Sequence, residues 1–357
     1  MFGKKKNGSV TETAVMAALS TVIEPELHRD LVALNMVRDL KIKGADVTFT
    51  IMLTTPACPL KGKMETDCRA ALAKVDGIGR ITVEWDANVP ADRRIKEQLG
   101  QNFRSTIAVS SGKGGVGKST IAVNIAIALA QSGARVGLMD ADILGPNVPM
   151  MMGVDKMPPP QNRKMIPAEN YGVKFISMAF LVKPDQPLIW RGPMLHSAIR
   201  QLLTDVEWGE LDYLIVDLPP GTGDAQLTLA QVLPLTGTLV ITQPMKVAAA
   251  DALRGLKTFE KLEVPILGVI ENMSGEFFGT GAGEALAKQQ ETEFLGTIPL
   301  DAHVRTGGDS GKPIIVEHPD SPAAVALKEI SELVAARVSV ITLANHSNNF
   351  IPIEMIG

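Results

Sequence analysis

Residues 110–120 read SSGKGGVGKST, and this stretch decides the fold. Gly112, Gly117, Lys118 and Ser119 satisfy the phosphate-loop pattern G-x-x-x-x-G-K-[ST]. A loop so rich in glycine cannot build a core. It can bring backbone N–H groups together on a phosphate, with a helix N-terminus adding a favourable dipole. The flanks agree: TIAVSS before the loop is a short apolar run, and STIAVNIAIALAQS after it is a long helical one. The candidate ATP-binding residues are therefore Gly112, Lys113, Gly114, Gly115, Val116, Gly117, Lys118, Ser119 and Thr120. Lys118 suits the β- and γ-phosphates, the Ser119 hydroxyl suits Mg²⁺, and Thr120 suits the α-phosphate.

Outward from the loop, ARVGLMD, VKFISM, DYLIVDL, GTLVITQ and PILGVIE are further apolar runs at intervals that admit helices. Unbroken β-branched runs alternating with helices predict an α/β fold, a P-loop NTPase whose mostly parallel sheet is covered by helices on both faces. A small α/β domain precedes it. There VTETAVMAALSTVI is helix-like, VTFTIML and RITVEW have strand character, and the stretch after TTPACPL is helical to about Val75. The expected divisions are a disordered tail at 1–8, the small domain at 9–89, a linker at 90–105, the ATPase domain at 106–343 and a C-terminal tail at 344–357. The stretch DANVPADRRIKEQLGQNFRS is polar and carries no apolar face of its own, hence a linker with a helical turn.

Composition narrows the function. A net charge of −4 gives no global reason to bind nucleic acid or a lipid surface. The one basic run, Lys4 to Lys6, reads as a solubilising tail, and no apolar segment of a secretory signal follows it. No stretch approaches the ~18 apolar residues of a membrane span. Two cysteines, Cys58 and Cys68, make no disulfide framework. A cytoplasmic protein is expected.

Carboxylates stand where an ATPase needs them. LMDADILGPN puts Asp140 at a strand end with Asp142 just beyond, and DYLIVDLPPGTGD puts Asp217 at another. Carboxyl ends of parallel strands are where such sheets bind ligands. Asp140 and Asp224 also admit a reading as caps or supporting groups, and for Asp224 that is the better reading.

Lys113, the first lysine of KGGVGKS, marks the deviant loop of the MinD, ParA and nitrogenase-iron-protein ATPases, which this segment resembles. Together KGGVGKST, DADILGPNVP, WRGPM, DLPPGTGD, ENMS and IPLD with GDSGKP resemble the Mrp/ApbC group of iron–sulfur carrier ATPases. EPELHRDLVALNMV and TTPACPL resemble the small domain of PaaD and SufT proteins. The resemblance implies a homodimer in which Lys113 reaches the partner's phosphates, as an arginine finger does. It implies that Asp142 positions the attacking water, that Asp217 holds Mg²⁺ and that the Gly221 N–H meets the γ-phosphate. It also implies that Asn272 reads adenine, with Asp301 in the loop beside the base. Iron–sulfur client or scaffold proteins are the implied partners, with no nucleic acid or membrane.

One departure matters. Members of the group carry C-x-x-C shortly after ENMS, so that two protomers hold a [4Fe–4S] cluster. Here the stretch is ENMSGEFFGTGAGEALAKQ, with no cysteine. GTGAGEAL follows no strand and reads as a loop feeding a helix. Cys58, just before a helix, matches a cysteine of the small domain's motif and is the possible iron–sulfur ligand. Cys68 falls at helical spacing with Met64, Ala71 and Leu72 and reads as a core thiol. The functions weighed are an ATP-dependent iron–sulfur carrier, a cluster-free ATP-gated switch or scaffold, and a positioning ATPase on DNA or membrane, ranked last.

Overall fold

In the computed structural model the described residues are 10–143, 145–181, 192–221 and 224–347. Lys4–Lys6, Leu144, Trp190 and Arg191 of WRGPM, Thr222–Gly223 and residues 348–357 lie outside them, as does the Asp224 side chain. The chain divides into two compact units, 1–89 and 90–357.

The smaller unit runs α1 (Glu12–Leu19), β1 (Ile23–Glu24), β2 (Arg29–Asp30), β3 (Val37–Lys43), β4 (Asp46–Leu53), α2 (Lys61–Leu72) and β5 (Ile81–Ala87). Strands β3, β4 and β5 form one sheet, antiparallel then parallel, with α2 as the crossover between the parallel pair. Alternation in VTFTIML buries Val47, Phe49, Ile51 and Leu53, which meet Val15 and Leu19 of α1 and Met64, Cys68 and Leu72 of α2.

The larger unit runs α3 (Arg93–Leu99), β6 (Phe103–Ser111), α4 (Lys118–Gln131), β7 (Val136–Asp140), α5 (Val148–Met151), β8 (Ala168–Asn170), β9 (Val173–Ser177) and α6 (Gly192–Thr204). It continues β10 (Leu211–Asp217), α7 (Asp224–Val232), β11 (Gly237–Thr242), α8 (Lys246–Lys261), β12 (Ile266–Ser274), α9 (Ala282–Gln289), β13 (Phe294–Pro299), α10 (Ala302–Ser310), α11 (Ile314–Glu317) and α12 (Pro322–Ser347). Eight strands make one sheet in the order β13-β12-β11-β6-β10-β7-β9-β8, parallel except for β8 on β9. Helices α6 to α9 cover one face, while α4 and α12, packed on each other, cover the other. The α/β architecture read from the sequence is present. β11 and β10 flank β6 on opposite sides, so the chain reverses its direction of travel across the sheet at β6. That reversal opens a crevice at the carboxyl end of β6, where the glycine loop begins.

Within the expected linker the helical turn is α3, and residues 103–105 already belong to β6. Asp92 caps α3, Ile95 is fully buried against the core that holds Phe103 and Trp208, and the Arg94 guanidinium bridges Asp92 to the Leu235 carbonyl. One buried isoleucine and a capped turn hold the segment onto the larger unit. Its apolar anchors are too few to show as a periodic face.

Candidate functional site

β6 ends at Ser111 and α4 starts at Lys118, and the turn between them depends on glycine in two ways. Gly115 and Gly117 have φ of 78° and 85°, the left-handed region. At Gly112 a Cβ would lie 2.1 Å from the Asp251 carbonyl of α8, and at Gly117 one would lie 2.3 Å from Asn272 Nδ2. The neighbours that forbid a side chain also hold the loop. Asn272 Nδ2 donates to the Val116 carbonyl at 2.8 Å, and Gln243 Nε2 contacts Met273 Sδ at 3.1 Å and the Gly115 carbonyl at 3.5 Å.

Parallel pairing brings the carboxylates together: Asp217 at the end of β10 stands opposite Asp140 at the end of β7. The Lys118 ammonium donates to Asp217 Oδ1 at 2.6 Å, lies 3.8 Å from Asp142 Oδ2 and reaches Ser119 Oγ at 3.3 Å. Lys118 and Asp217 are both buried. Burial pushes the Asp217 carboxyl upward, while Lys118 opposes that rise. Asp217 Oδ2 is buried without a hydrogen-bond partner among the described residues.

Asp140 is fully buried. Its oxygens accept from Ser177 Oγ at 2.7 Å, from the Asp142 N–H at 3.2 Å and from the Val148 N–H at 3.3 Å. It thereby ties both ends of the 142–148 loop to the sheet. Burial, followed by the charge of Asp217, raises its pKa to about 7. Of the readings left open for Asp140, the supporting group matches this geometry. Asp142 lies at the mouth, where its Oδ1 accepts the Gly145 N–H at 3.3 Å.

Two cavities meet over this floor. One of about 370 Å³ is lined by Lys113, Gly115, Lys118, Ser119, Asp142 and Pro220 among others. The second, of about 380 Å³, has Met150, Met273, Leu300, Asp301, Arg305 and Asn272 in its walls. Gly117, Thr120, Asn147 and Met151 line both, so they form one cleft with a polar end and an apolar end. The polar end offers backbone amides, a cation and an unsatisfied carboxylate oxygen, a donor set that suits a polyphosphate with a divalent cation. The apolar end has the size and lining for a planar base.

Most of the residues singled out in the sequence converge on this cleft: residues 112–120 with Asp142, Asp217, Asn272 and Asp301. Three of them stand differently from expectation. The Gly221 N–H, expected to face a γ-phosphate, donates to the Ser111 carbonyl at 3.0 Å, which satisfies that backbone donor. Asp301 lines the apolar end but uses its carboxylate to cap α10, accepting the His303 N–H at 2.8 Å. Asn272 commits its Nδ2 to the loop, leaving Oδ1 for a base. Gln243 and Glu271 were missed. Gln243 closes the run GTLVITQ and was open to discovery by the same strand-end rule that singled out Asp217. Glu271 is buried and accepts from Ser274 Oγ at 2.7 Å, the Gly281 N–H at 2.9 Å and the Gly283 N–H at 2.7 Å. GTGAGEAL is a loop feeding α9, held by that carboxylate.

Cys58 belongs to the smaller unit, half-buried in the turn before α2. Cys68 is in the core, where burial and then the charges of Asp67 and Glu65 push its thiol up to about 12. Among the described residues no group of three or more His, Cys, Asp or Glu side chains is placed to hold a metal ion. No helix among them is long and apolar enough to cross a membrane.

Comparison with known proteins agrees with this geometry. Residues 102–335 match the family model described as ParA, NUBPL iron-transfer P-loop NTPase, and residues 12–85 match that of iron–sulfur cluster assembly proteins. An iron–sulfur cluster carrier protein of Synechocystis sp. is 48% identical over 352 residues, which cover 94% of this chain and 99% of that protein. The Escherichia coli iron–sulfur cluster carrier protein is 38% identical over 348 residues, covering 93% and 94%. Among solved structures, a nucleotide-binding protein of Archaeoglobus fulgidus in complex with ADP superposes with a TM-score of 0.55 at 34% identity, covering 65% of this chain and 94% of its own. The cell-division ATPase MinD of Pyrococcus furiosus, at 24% identity and a TM-score of 0.52, shares the fold.

Proposed function

The chain belongs to the NUBPL iron-transfer P-loop NTPase family, and from that premise we propose that it binds and hydrolyses ATP as a cytoplasmic homodimer and carries iron–sulfur clusters to client or scaffold proteins. The observation that carries the ATPase half is the buried Lys118–Asp217 pair beneath the glycine loop, with Asp142 3.8 Å from the same ammonium and Asp217 Oδ2 unsatisfied. Lys118 is held ready for an incoming anion by a carboxylate that needs a cation of its own once the lysine turns away. Ser119 and Asp217 are the residues to hold Mg²⁺, which when bound neutralises charge on the β- and γ-phosphate oxygens. Asp142, at the mouth, orients the attacking water, and Asn272 Oδ1 suits the exocyclic amine of adenine. Lys113 lines the polar end, and among the described residues no carboxylate pairs with it. That supports its use on a partner's phosphates.

The carrier half rests on family membership. A second reading, an ATP-gated switch or scaffold that holds no cluster, is favoured by the missing C-x-x-C and the absence of a ligand group among the described residues. Cys58 from two protomers supplies only two thiolates.

Lys113→Ala is expected to bind ATP with Mg²⁺ yet lose most hydrolysis, measured as phosphate release. Wild-type turnover in that variant rules out the in-trans role. Anaerobic reconstitution with iron and sulfide separates the two readings of cargo. The carrier shows a visible iron–sulfur absorption band that Cys58→Ser abolishes, and the switch shows none.

A further inference from the structure

The turn at the edge of the large sheet is built on an unexpected residue. β8 and β9 pair in antiparallel register with Asn170 opposite Val173, so the two-residue connection is Tyr171–Gly172. Both have positive φ, 52° and 76°, as a tight hairpin turn of this kind demands. Glycine, asparagine and aspartate fill such positions readily. A tyrosine there is strained, because its Cβ crowds its own backbone. Strain of this kind is kept where a site needs it.

The hydroxyl shows what it serves. Tyr171 Oη donates to the Gly311 carbonyl at 2.8 Å, and Asn170 Nδ2 donates to the Met152 carbonyl at 2.8 Å. Met152 closes α5 and Gly311 closes α10. These two helices are walls of the apolar end of the cleft, lined by Met150 and Met151 from α5 and by Val304, Arg305 and Gly308 from α10. The walls converge just beyond it. A Cβ on Gly311 would lie 2.4 Å from the Gly153 Cα, and one on Gly153 would lie 2.9 Å from the Gly311 carbonyl oxygen, so the two main chains are in contact. The turn stands at the amino end of β9, whereas the cleft opens at the carboxyl ends of the parallel strands. Asn170 and Tyr171 therefore grip both walls from beneath, at the apex where they meet.

We propose that Tyr171 and Asn170, neither of which lines the cleft, are positioning residues for the nucleobase. By fastening α5 to α10 at their apex they hold the gap between the walls at the width of one planar base. The strained backbone at Tyr171 places a stiff phenol at the point from which it reaches Gly311. The proposal rests on the reading of the cleft as an ATP site, and adds what fixes its base end. It has a specific consequence. The phosphate loop is held by neighbours of its own, Asn272 and Gln243. The turn therefore governs the share of affinity that the base supplies, not the share that the phosphates supply.

Calorimetric titration of the full chain with ADP and with pyrophosphate, both with Mg²⁺, tests it, since the two ligands differ by the nucleoside alone. Tyr171→Phe, which removes only the hydroxyl, and Asn170→Ala are each expected to weaken ADP binding by roughly three- to tenfold, as loss of one hydrogen bond does. Pyrophosphate binding should be unchanged in both. Tyr171→Asn suits the left-handed backbone better. It is expected to match or exceed the wild-type midpoint in urea and still bind ADP at the reduced affinity, a separation that a purely structural residue would not show. A Tyr171→Phe or Asn170→Ala protein that binds ADP as the wild type does overturns the proposal and leaves the ATP reading intact. So does a variant that loses ADP and pyrophosphate in equal measure, which would assign the turn to support of the whole cleft. A Tyr171→Asn protein with a lowered midpoint overturns it too. A wild type that binds pyrophosphate as tightly as ADP overturns the base end of the ATP reading together with the proposal, and one that binds neither overturns that reading itself.

Discussion

Gly117 and Gly279 have nearly the same φ, 85° and 84°, in two glycine-rich loops that leave parallel strands at the same end of one sheet. Their surroundings are opposite. A Cβ on Gly117 would strike Asn272 Nδ2 at 2.3 Å, whereas at Gly279 nothing lies within 4 Å. One loop is roofed by side chains and floored by buried charge, and the other ends in an open phenylalanine. Glycine content tells where a chain can turn tightly. What surrounds the turn is set elsewhere: the crowded turn is a cradle, and the open one leaves its tip exposed.

The largest effect that tests this contrast comes from the charge under the cradle. Lys118→Met leaves Asp217 buried without its cation and is expected to cost about 3–5 kcal/mol of stability in urea unfolding, and to lower hydrolysis by roughly 10²–10³-fold or more. Adding Asp217→Asn should recover much of the stability and none of the activity. Recovery of activity would show that the pair is structural only.

Next is pH. The folded-state pKa of Asp140 is raised from 3.8 to about 7, so the folded chain holds that proton more tightly than the unfolded one. Its contribution is fully present below about pH 4 and is lost as pH rises to about 7, on the order of 4 kcal/mol in all. Unfolding midpoints of the nucleotide-free protein at pH 5.5 and 8 should show the decline, and Asp140→Asn should flatten it. A wild-type midpoint that does not fall would mean that the Ser177, Asp142 and Val148 donors keep the anion stable despite burial.

Smaller again is the direct comparison. Gly117→Ala is expected to cost about 2–4 kcal/mol and to abolish binding of an ADP analogue, because strain adds to the clash with Asn272. Gly279→Ala meets only the strain, about 1 kcal/mol, and keeps nucleotide affinity. Equal costs at the two sites would refute the distinction. Smallest is Phe277→Ser, which should change the stability of the isolated monomer by no more than about 0.5 kcal/mol.

Much of the site was legible because its signals are local. A phosphate loop is a run of consecutive residues, and Asp140 and Asp217 close apolar runs that sit as β7 and β10. The α/β sheet was legible for the same reason, since period and length distinguish buried strands from helices. The packing of 90–102 was not, because before β6 Ile95 is the one buried apolar side chain, and with the Asp92 cap it leaves no period to detect. Gln243 was open to the strand-end rule that singled out Asp217, whereas its reach to the Gly115 carbonyl, like the hold of Glu271 on the Gly281 and Gly283 N–H groups, forms only on folding.

The order of residues by itself determined that a phosphate loop would sit between a strand and a buried helix, which carboxylates would end strands, and that the stretch after ENMS offers no thiolate. Those are properties of spacing and composition. Only the tertiary structure decided that Lys118 rests on Asp217, that the Gly221 N–H turns to Ser111, and that two glycine turns of similar φ differ in their surroundings. Each of these depends on distances between atoms up to about a hundred and sixty residues apart along the chain, set by strand order and register, which no single segment encodes.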